Sequence, residues 1–385
     1  MKRLISLLAV PALLMGLAVT PASAGPTAGG FASDNVEFVG KIPFEASTST
    51  GVTLAGKYMY LTSWKNISVY DVSDPVNPEL LDIEHFGFWF ENEDVAVSPN
   101  GSTLIFSESL PQNILHVWDV EDKSNIVEIA TVEGAGDHTT SCVLKCTYLY
   151  GSDGSITDIR DPAKPKSIAL SGADNDWHKQ VGIKGGAHDI DEVRNGIIIA
   201  STISEGFWII DVRNPAKPKV VARSPHPNPA WLFHSGEWPR GGKDKYLLLQ
   251  GEQNFQPQCD PENNGPFQTW TPAGNSFKLI DTYAATNGTY QDGKPAANGL
   301  GCSAHWFQSH ETFKNGGLVA VGFYEHGTRF LDVASNGKLK EVGYFLPYGG
   351  STSAAYWVPT DKEGRLVYAV DYTRGIDILR WNDKF

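Results

Sequence analysis

Several common signatures of catalytic machinery are missing from this chain. It has no glycine-rich phosphate loop opening a helix, no Gly-x-Ser-x-Gly turn, no His-Glu-x-x-His helix and no basic stripe interleaved with aromatics. These absences argue against P-loop chemistry, α/β-hydrolase chemistry, helix-borne zinc peptidase chemistry and nucleic-acid binding. Cysteine is scarce, with four in 385 residues. An even count beside an export leader points to two disulfides rather than a thiol nucleophile: Cys142 with Cys146 in one hairpin, and Cys259 with Cys302 by elimination. Positive charge is also in deficit, 31 Lys and Arg against 44 Asp and Glu, for a net charge of −13. Such a surface repels nucleic acid and anionic lipid and favours solubility. Past the leader, no apolar run approaches the roughly 18 residues that a membrane-spanning helix needs.

The leader is the first positive feature. Met1-Lys2-Arg3 carries positive charge, Leu4 to Val19 is largely apolar, and Ala22-Ser23-Ala24 offers a small-residue cleavage site. Residues 1–24 therefore read as a secretory signal peptide, leaving a mature chain of 25–385. No cysteine follows the site to carry lipid, so a secreted, extracellular monomer is expected.

The strongest signal is a repeat. Apolar couplets running into a turn recur at Val69-Tyr70-Asp71, Val117-Trp118-Asp119, Ile156-Thr157-Asp158, Ile209-Ile210-Asp211, Leu279-Ile280-Asp281, Phe330-Leu331-Asp332 and Ile378-Leu379-Arg380, spaced 39 to 70 residues apart. That period fits one four-stranded propeller blade with variable loops. In the fourth copy, Asp189 to Glu192, Gly196 to Thr202, Gly206 to Val212 and Lys219 to Arg223 read as successive strands, with a Pro- and Asn-bearing turn before the last. The aspartate closing the third strand is suited to bonding turn amides, so Asp71, Asp158 and Asp211 read as structural. The chain stops soon after the third strand of its last copy, and Val36 to Pro43 matches the fourth-strand pattern of Leu339 to Leu346. The fold class expected is all-β: a single seven-bladed β-propeller, closed by an N-terminal strand that completes the last blade and removes an exposed edge.

The segments Tyr70 to Pro78, Thr157 to Pro165 and Ile210 to Pro218 resemble the LVIVD repeat of secreted bacterial proteins. That resemblance implies a β-propeller and carries no assigned reaction, so chemistry has to be sought in the site.

In a propeller the first strand of each blade lines the central channel. The residues leading into those strands align as Glu93, His138, His188, His234, His305 and Ser353 on blades 2 to 7. Neutral imidazoles beside a carboxylate suit a borderline metal, so Glu93, His138, His188, His234 and His305 are the expected ligands of a divalent transition metal cofactor. The competing explanation is that each histidine bonds backbone groups where its strand begins. His310 lies in a strand and turn and carries less weight.

The loops between second and third strands lie on the same face. They carry Glu205, Glu252 and Glu325 as candidate catalytic groups and Glu108, Lys65 and Arg374 as candidate ligand contacts. With Lys65 and Arg374 on adjoining blades, half of the mouth is expected to be basic. Residues 252–275 read as an insertion in blade 5 and 283–301 as a long passage into blade 6, tied together by Cys259 and Cys302. Trp231, Trp238, Trp270 and Trp306 read mostly as core.

Two functions follow. One is a metal-dependent lyase, hydrolase or oxidase acting on an extracellular substrate such as an acidic saccharide. The alternative is a non-catalytic binding or scaffold propeller of the cell envelope, with a small molecule, polysaccharide or protein as partner.

Overall fold

The computed structural model describes residues 25–26, 29–42, 49–86, 92–109, 113–226, 232–253, 265–286, 288, 290–291, 294–295 and 301–385. The expected signal peptide lies outside them. Apart from short helical turns at Trp177–Val181 and Pro239–Gly242, the regular structure is antiparallel sheet. Among the described residues, no helix is long and apolar enough to cross a membrane.

Sheet 1 comprises Ser49–Ala55, Tyr58–Ser63, Asn66–Asp71 and Glu79–His85, and sheet 2 comprises Ala96–Val97, Thr103–Glu108, Ile114–Asp119 and Val127–Glu133. Sheet 3 runs through Thr140–Val143, Tyr148–Gly151, Ile156–Asp158 and Lys166–Ala169, and sheet 4 through Ala187–Arg194, Ile197–Thr202, Phe207–Asp211 and Lys219–Arg223. Sheet 5 contains Leu232–Glu237, Leu247–Gln253, Phe267–Ala273 and Ser276–Tyr283. Sheet 6 is built on Phe307–Ser309, Gly317–Gly322, Thr328–Val333 and Leu339–Pro347; sheet 7 on Thr352–Trp357, Leu366–Asp371 and Gly375–Trp381.

The expectation of seven four-stranded blades with one N-terminal strand completing the last is corrected by these sheets. Six of them are four-stranded blades; sheet 6 has six strands, because Gly30–Ala32 and then Gly25–Pro26 extend its outer edge. The N-terminal chain is thus divided between two sheets, since Val36–Ile42 pairs antiparallel with Gly375–Trp381 in sheet 7, Val36 opposite Trp381 and Ile42 opposite Ile376. The cause is the length of Leu339–Pro347, nine residues, whose end would otherwise present an open edge. Glycine is required at the crossing, because a Cβ at Gly30 would run into the Leu346 carbonyl. Ser33 N–H and Asn35 Nδ2 then anchor the chain on the carbonyls of Tyr344 (3.1 Å) and Val342 (2.9 Å).

Alternation within the second and third strands buries one residue set against each neighbouring sheet, and apolar clusters fill the junctions between successive sheets. Ile198, Ala200, Trp208 and Ile210 of sheet 4 meet Tyr150 and Ile156 of sheet 3, while Ile199 and Ile209 face Phe233 and Trp270 of sheet 5. Tyr368 and Ile376 of sheet 7 meet Met59 and Leu61 of sheet 1, so the last sheet packs against the first.

The turn aspartates act as read. Asp71, Asp158 and Asp211 each accept the N–H two residues on, from Ser73 (2.7 Å), Arg160 (3.1 Å) and Arg213 (3.0 Å). The copy at Leu279-Ile280-Asp281 departs from the register. It lies in the fourth strand of sheet 5, because Phe267–Ala273 supplies the third and turns tightly at Gly274. Asp281 instead accepts from Leu339 N–H (2.9 Å) and Lys338 Nζ (3.1 Å) of sheet 6. Phe267–Ala273 also occupies much of the stretch 252–275, and residues 254–264, with Cys259, lie outside the described ones.

Candidate metal centre

The leading residues of neighbouring first strands are tied to one another in series. Glu93 N–H donates to the His138 carbonyl (2.8 Å), Thr139 Oγ1 to the His188 carbonyl, and Trp306 N–H to the Ser353 carbonyl (3.0 Å). This series holds the aligned positions at one level, so their side chains converge beside the channel axis. The histidine rings adjoin in sequence, edge-on or tilted, with centroids 4.7 Å apart for His138 and His188, 3.8 Å for His188 and His234, and 3.9 Å for His234 and His305. His234 and His305 are fully buried, and His188 and Glu93 are each 7% exposed. The group is therefore a buried plug rather than an open rim.

Glu93 reaches across from sheet 2. Its Oε2 lies 3.2 Å from His234 Nε2 and its Oε1 3.3 Å from His305 Nε2, while Trp306 Nε1 (3.2 Å) and the Tyr372 hydroxyl (2.8 Å) donate to it. Among the described residues, the one group of His, Cys, Asp or Glu with ligand atoms all within 4.8 Å of one another is Glu93, His188 and His234. His138 Nε2 joins it 2.9 Å from His188 Nε2.

The backbone sets which ring nitrogen faces the centre. His188 Nδ1 lies 3.1 Å from the His234 carbonyl and His305 Nδ1 2.7 Å from the Ser353 carbonyl. A carbonyl only accepts, so each Nδ1 carries the hydrogen and each Nε2 keeps its lone pair for the centre, the usual outer-shell arrangement of a ligating imidazole. Both explanations weighed for these histidines thus coexist: one nitrogen bonds the backbone, and the bond aims the other. His234 Nδ1 is buried without a hydrogen-bond partner, and His234 Nε2 and His305 Nε2 approach the Glu93 oxygens at 3.2 and 3.3 Å without hydrogen-bond geometry. An unsatisfied buried polar group costs about 1–3 kcal/mol; neutral His234 carries one N–H and one lone pair, so this set offers a lone pair on His305 Nε2 and one on His234 to an incoming ion.

Electrostatics agree with that. Burial, reinforced by the neighbouring rings, lowers the pKa of His188 well below the imidazole range and that of His234 to about 3, so both are neutral at pH 7. Burial alone would raise the Glu93 carboxyl, but His305 and His234 outweigh it and hold Glu93 well below its ordinary value. Neutral His188 and His234 beside one anionic carboxylate are a donor set for a borderline divalent ion.

A cavity of ≈ 380 Å³ adjoins Glu93 on the channel side, lined by Asp94, Asp191, Glu237, Trp306, Tyr356 and Ser235 among others. Sequence reasoning missed these residues. The available signal was the period-two alternation of first strands, which places Asp189 and Asp191, or Ser235 and Glu237, on one face. Trp306 was read with the core, yet its indole N–H belongs to the site.

Several of the loop residues expected around the mouth have contacts of their own. Glu205 Oε2 accepts from Lys184 N–H (2.6 Å). Glu108 is buried 3.5 Å from His116 Nε2, and burial raises its pKa. Glu325 is buried 3.4 Å from the Ser351 hydroxyl. Arg374 makes a two-pronged pair with Asp377 (3.0 and 2.9 Å) and donates to the Tyr348 carbonyl (3.2 Å), so its charge is already matched. The Lys65 carbonyl accepts from Phe86 N–H (2.7 Å). Glu252 stands opposite Phe233 in backbone register. Cys142 and Cys146 are bonded to each other, and Cys302 is also disulfide-bonded. His310 is held by the Gly364 carbonyl (2.9 Å) and Thr312 (2.7 Å), a turn contact.

Comparison with known proteins adds fold information. No curated protein matches the chain. Among solved structures, the WD40 repeats of RRP9 superpose with a TM-score of 0.59 at 11% identity, covering 94% of this chain and 99% of that one. U3-55K gives 0.58 at 11% identity, covering 92% and 99%. At such identity the likeness concerns architecture alone. The LVIVD repeat family model matches residues 47–83, which span sheet 1 almost completely. The chain is a β-propeller that carries an LVIVD repeat.

Proposed function

We propose that this protein is a metal-dependent propeller, exported through its leader, which binds one divalent transition metal through Glu93, His188 and His234, with His305 and His138 alongside. The observation that carries this reading is the set of buried imidazole nitrogens gathered on a single anionic carboxylate. A bound ion there would supply Lewis acidity at the head of the ≈ 380 Å³ cavity, suited to lyase or hydrolase chemistry on a small molecule. The chain's own groups do the rest. Trp306 and Tyr372 fix the carboxylate, the His188 and His305 Nδ1 bonds fix the rings, and Asp191 and Glu237 lie within the cavity to move a proton.

Metal analysis of the purified protein tests this reading. One transition-metal ion per chain is expected after dialysis against zinc or manganese, with affinity reduced about 100-fold or more in His188→Ala and in His234→Ala. Circular dichroism checks that the sheets persist in both. A wild-type protein that takes up no stoichiometric transition metal would overturn the proposal.

A further inference from the structure

The cavity beneath the imidazole group has a one-sided chemistry. Its lining includes four carboxylates, Glu93, Asp94, Asp191 and Glu237, and no lysine, arginine or histidine. Glu93 is committed to the rings, which leaves three acids from the first strands of three sheets. Asp189 adds a fourth just beside them: it is 2% exposed, its Oδ2 has no hydrogen-bond partner, and its carboxyl faces Asp191 and Asp94. Ser235, also 2% exposed, lines the same space with a hydroxyl that has no partner. Aromatic surface comes from Trp306, Phe307 and Tyr356.

Two kinds of occupant are disfavoured. Away from the ion proposed at Glu93, an anion would be brought against several carboxylates with no lysine, arginine or histidine in the lining to receive it, a like-charge arrangement that costs several kcal/mol. A bare second metal ion needs ligand oxygens within one coordination sphere, yet Asp94, Asp189 and Asp191 do not form a group with ligand atoms within 4.8 Å of one another. Asp94, Asp191 and Glu237, brought by three different sheets to the wall of a space of ≈ 380 Å³, match a cation that is itself extended and carries several N–H donors. Aromatic walls favour such a cation further.

We infer that the cavity binds an organic cation, an aliphatic amine or diamine, with its ammonium groups on Asp191, Asp94 and Glu237 and its carbon chain along Tyr356, Phe307 and Trp306. This names the ligand class for the metal centre proposed above and rests on that reading for any reaction, though the binding itself does not require the ion. Asp191, exposed to the channel, offers the first contact; the Ser235 hydroxyl provides an acceptor deeper in. Glu237 is already oriented, because Ser309 donates to it from both backbone N–H (3.0 Å) and hydroxyl.

Calorimetric titration of the full chain with 1,4-diaminobutane, and with glutarate as an anion of similar length, tests the inference in metal-loaded and chelator-treated protein. The diamine is expected to bind one to one and glutarate not at all. Asp191→Asn and Glu237→Gln should each weaken the diamine about tenfold while leaving metal content unchanged. Glutarate binding as tightly as the diamine, absence of diamine binding in both protein forms, or unaltered diamine affinity in both variants would overturn it. Diamine binding by protein that takes up no metal would sink the metal proposal and leave this one standing.

Discussion

Glu93 is the residue on which the centre turns, since it alone brings a full negative charge to rings from sheets 5 and 6 and is fixed by donors from sheets 6 and 7. Glu93→Gln preserves its volume and removes its charge. The expected outcome is a metal affinity lower by about 100-fold, read by competition with a chelating dye, in a protein that still folds. Away from the centre, Asp153 offers a test of linkage. Burial, helped by Asp137 and Asp176 and opposed by hydrogen bonds from Ser155, raises its pKa from 3.8 to about 6. A carboxyl with a raised folded pKa stabilises the protein while protonated. That contribution is complete below the unfolded pKa near 4 and disappears as pH rises through about 6. Asp153→Asn should therefore gain stability relative to wild type between pH 4 and pH 7, by on the order of 2 kcal/mol, in denaturant titrations at a series of pH values. A difference that stays flat across that window would refute the assignment.

Elements are joined by a contact that recurs around the molecule. A tyrosine on a second strand passes its hydroxyl to a turn carbonyl of the next sheet: Tyr150 to Pro215 (2.7 Å), Tyr246 to Ser335 (2.6 Å) and Tyr368 to Pro75 (2.7 Å). Tyr150→Phe keeps the ring and loses the bond, and should cost about 1 kcal/mol, seen as a lower melting temperature. This level also shows what the sequence could convey. The apolar couplet ending in aspartate located most third strands, because an aspartate bonding its own turn is a local event written in adjacent residues. It misplaced Leu279-Ile280-Asp281, since nothing local distinguishes a third strand from a fourth when the intervening turn is short. The histidine column was legible for a similar reason: equivalent residues of a repeat fall at equivalent heights. The acids of the channel were not, because Asp94, Asp191 and Glu237 come together only through the radius of the wheel, which no spacing along one strand encodes. The local partners of the loop residues Glu205 and Arg374, Lys184 N–H and Asp377, carry no signature in the sequence that announces those contacts.

At the scale of the whole molecule, sheet 7 depends on a strand from the other end of the chain. A protein lacking residues 25–42 would expose the backbone of Gly375–Trp381 and the apolar residues Ile376, Ile378 and Leu379 that Val36–Ile42 helps to cover. Such an open edge templates intermolecular pairing, so the truncated chain is expected to form higher-order species by light scattering where the full chain stays dispersed. Equal dispersity of the two would contradict the role given to that strand.

Val36 finds Trp381 only across nearly the entire polypeptide. The early sheets can stack before the rest of the chain is in place, but the final seam has to wait for Gly375–Trp381. Until then both unsatisfied margins persist together, which makes the interval between synthesis and closure the period when this protein most needs a chaperone.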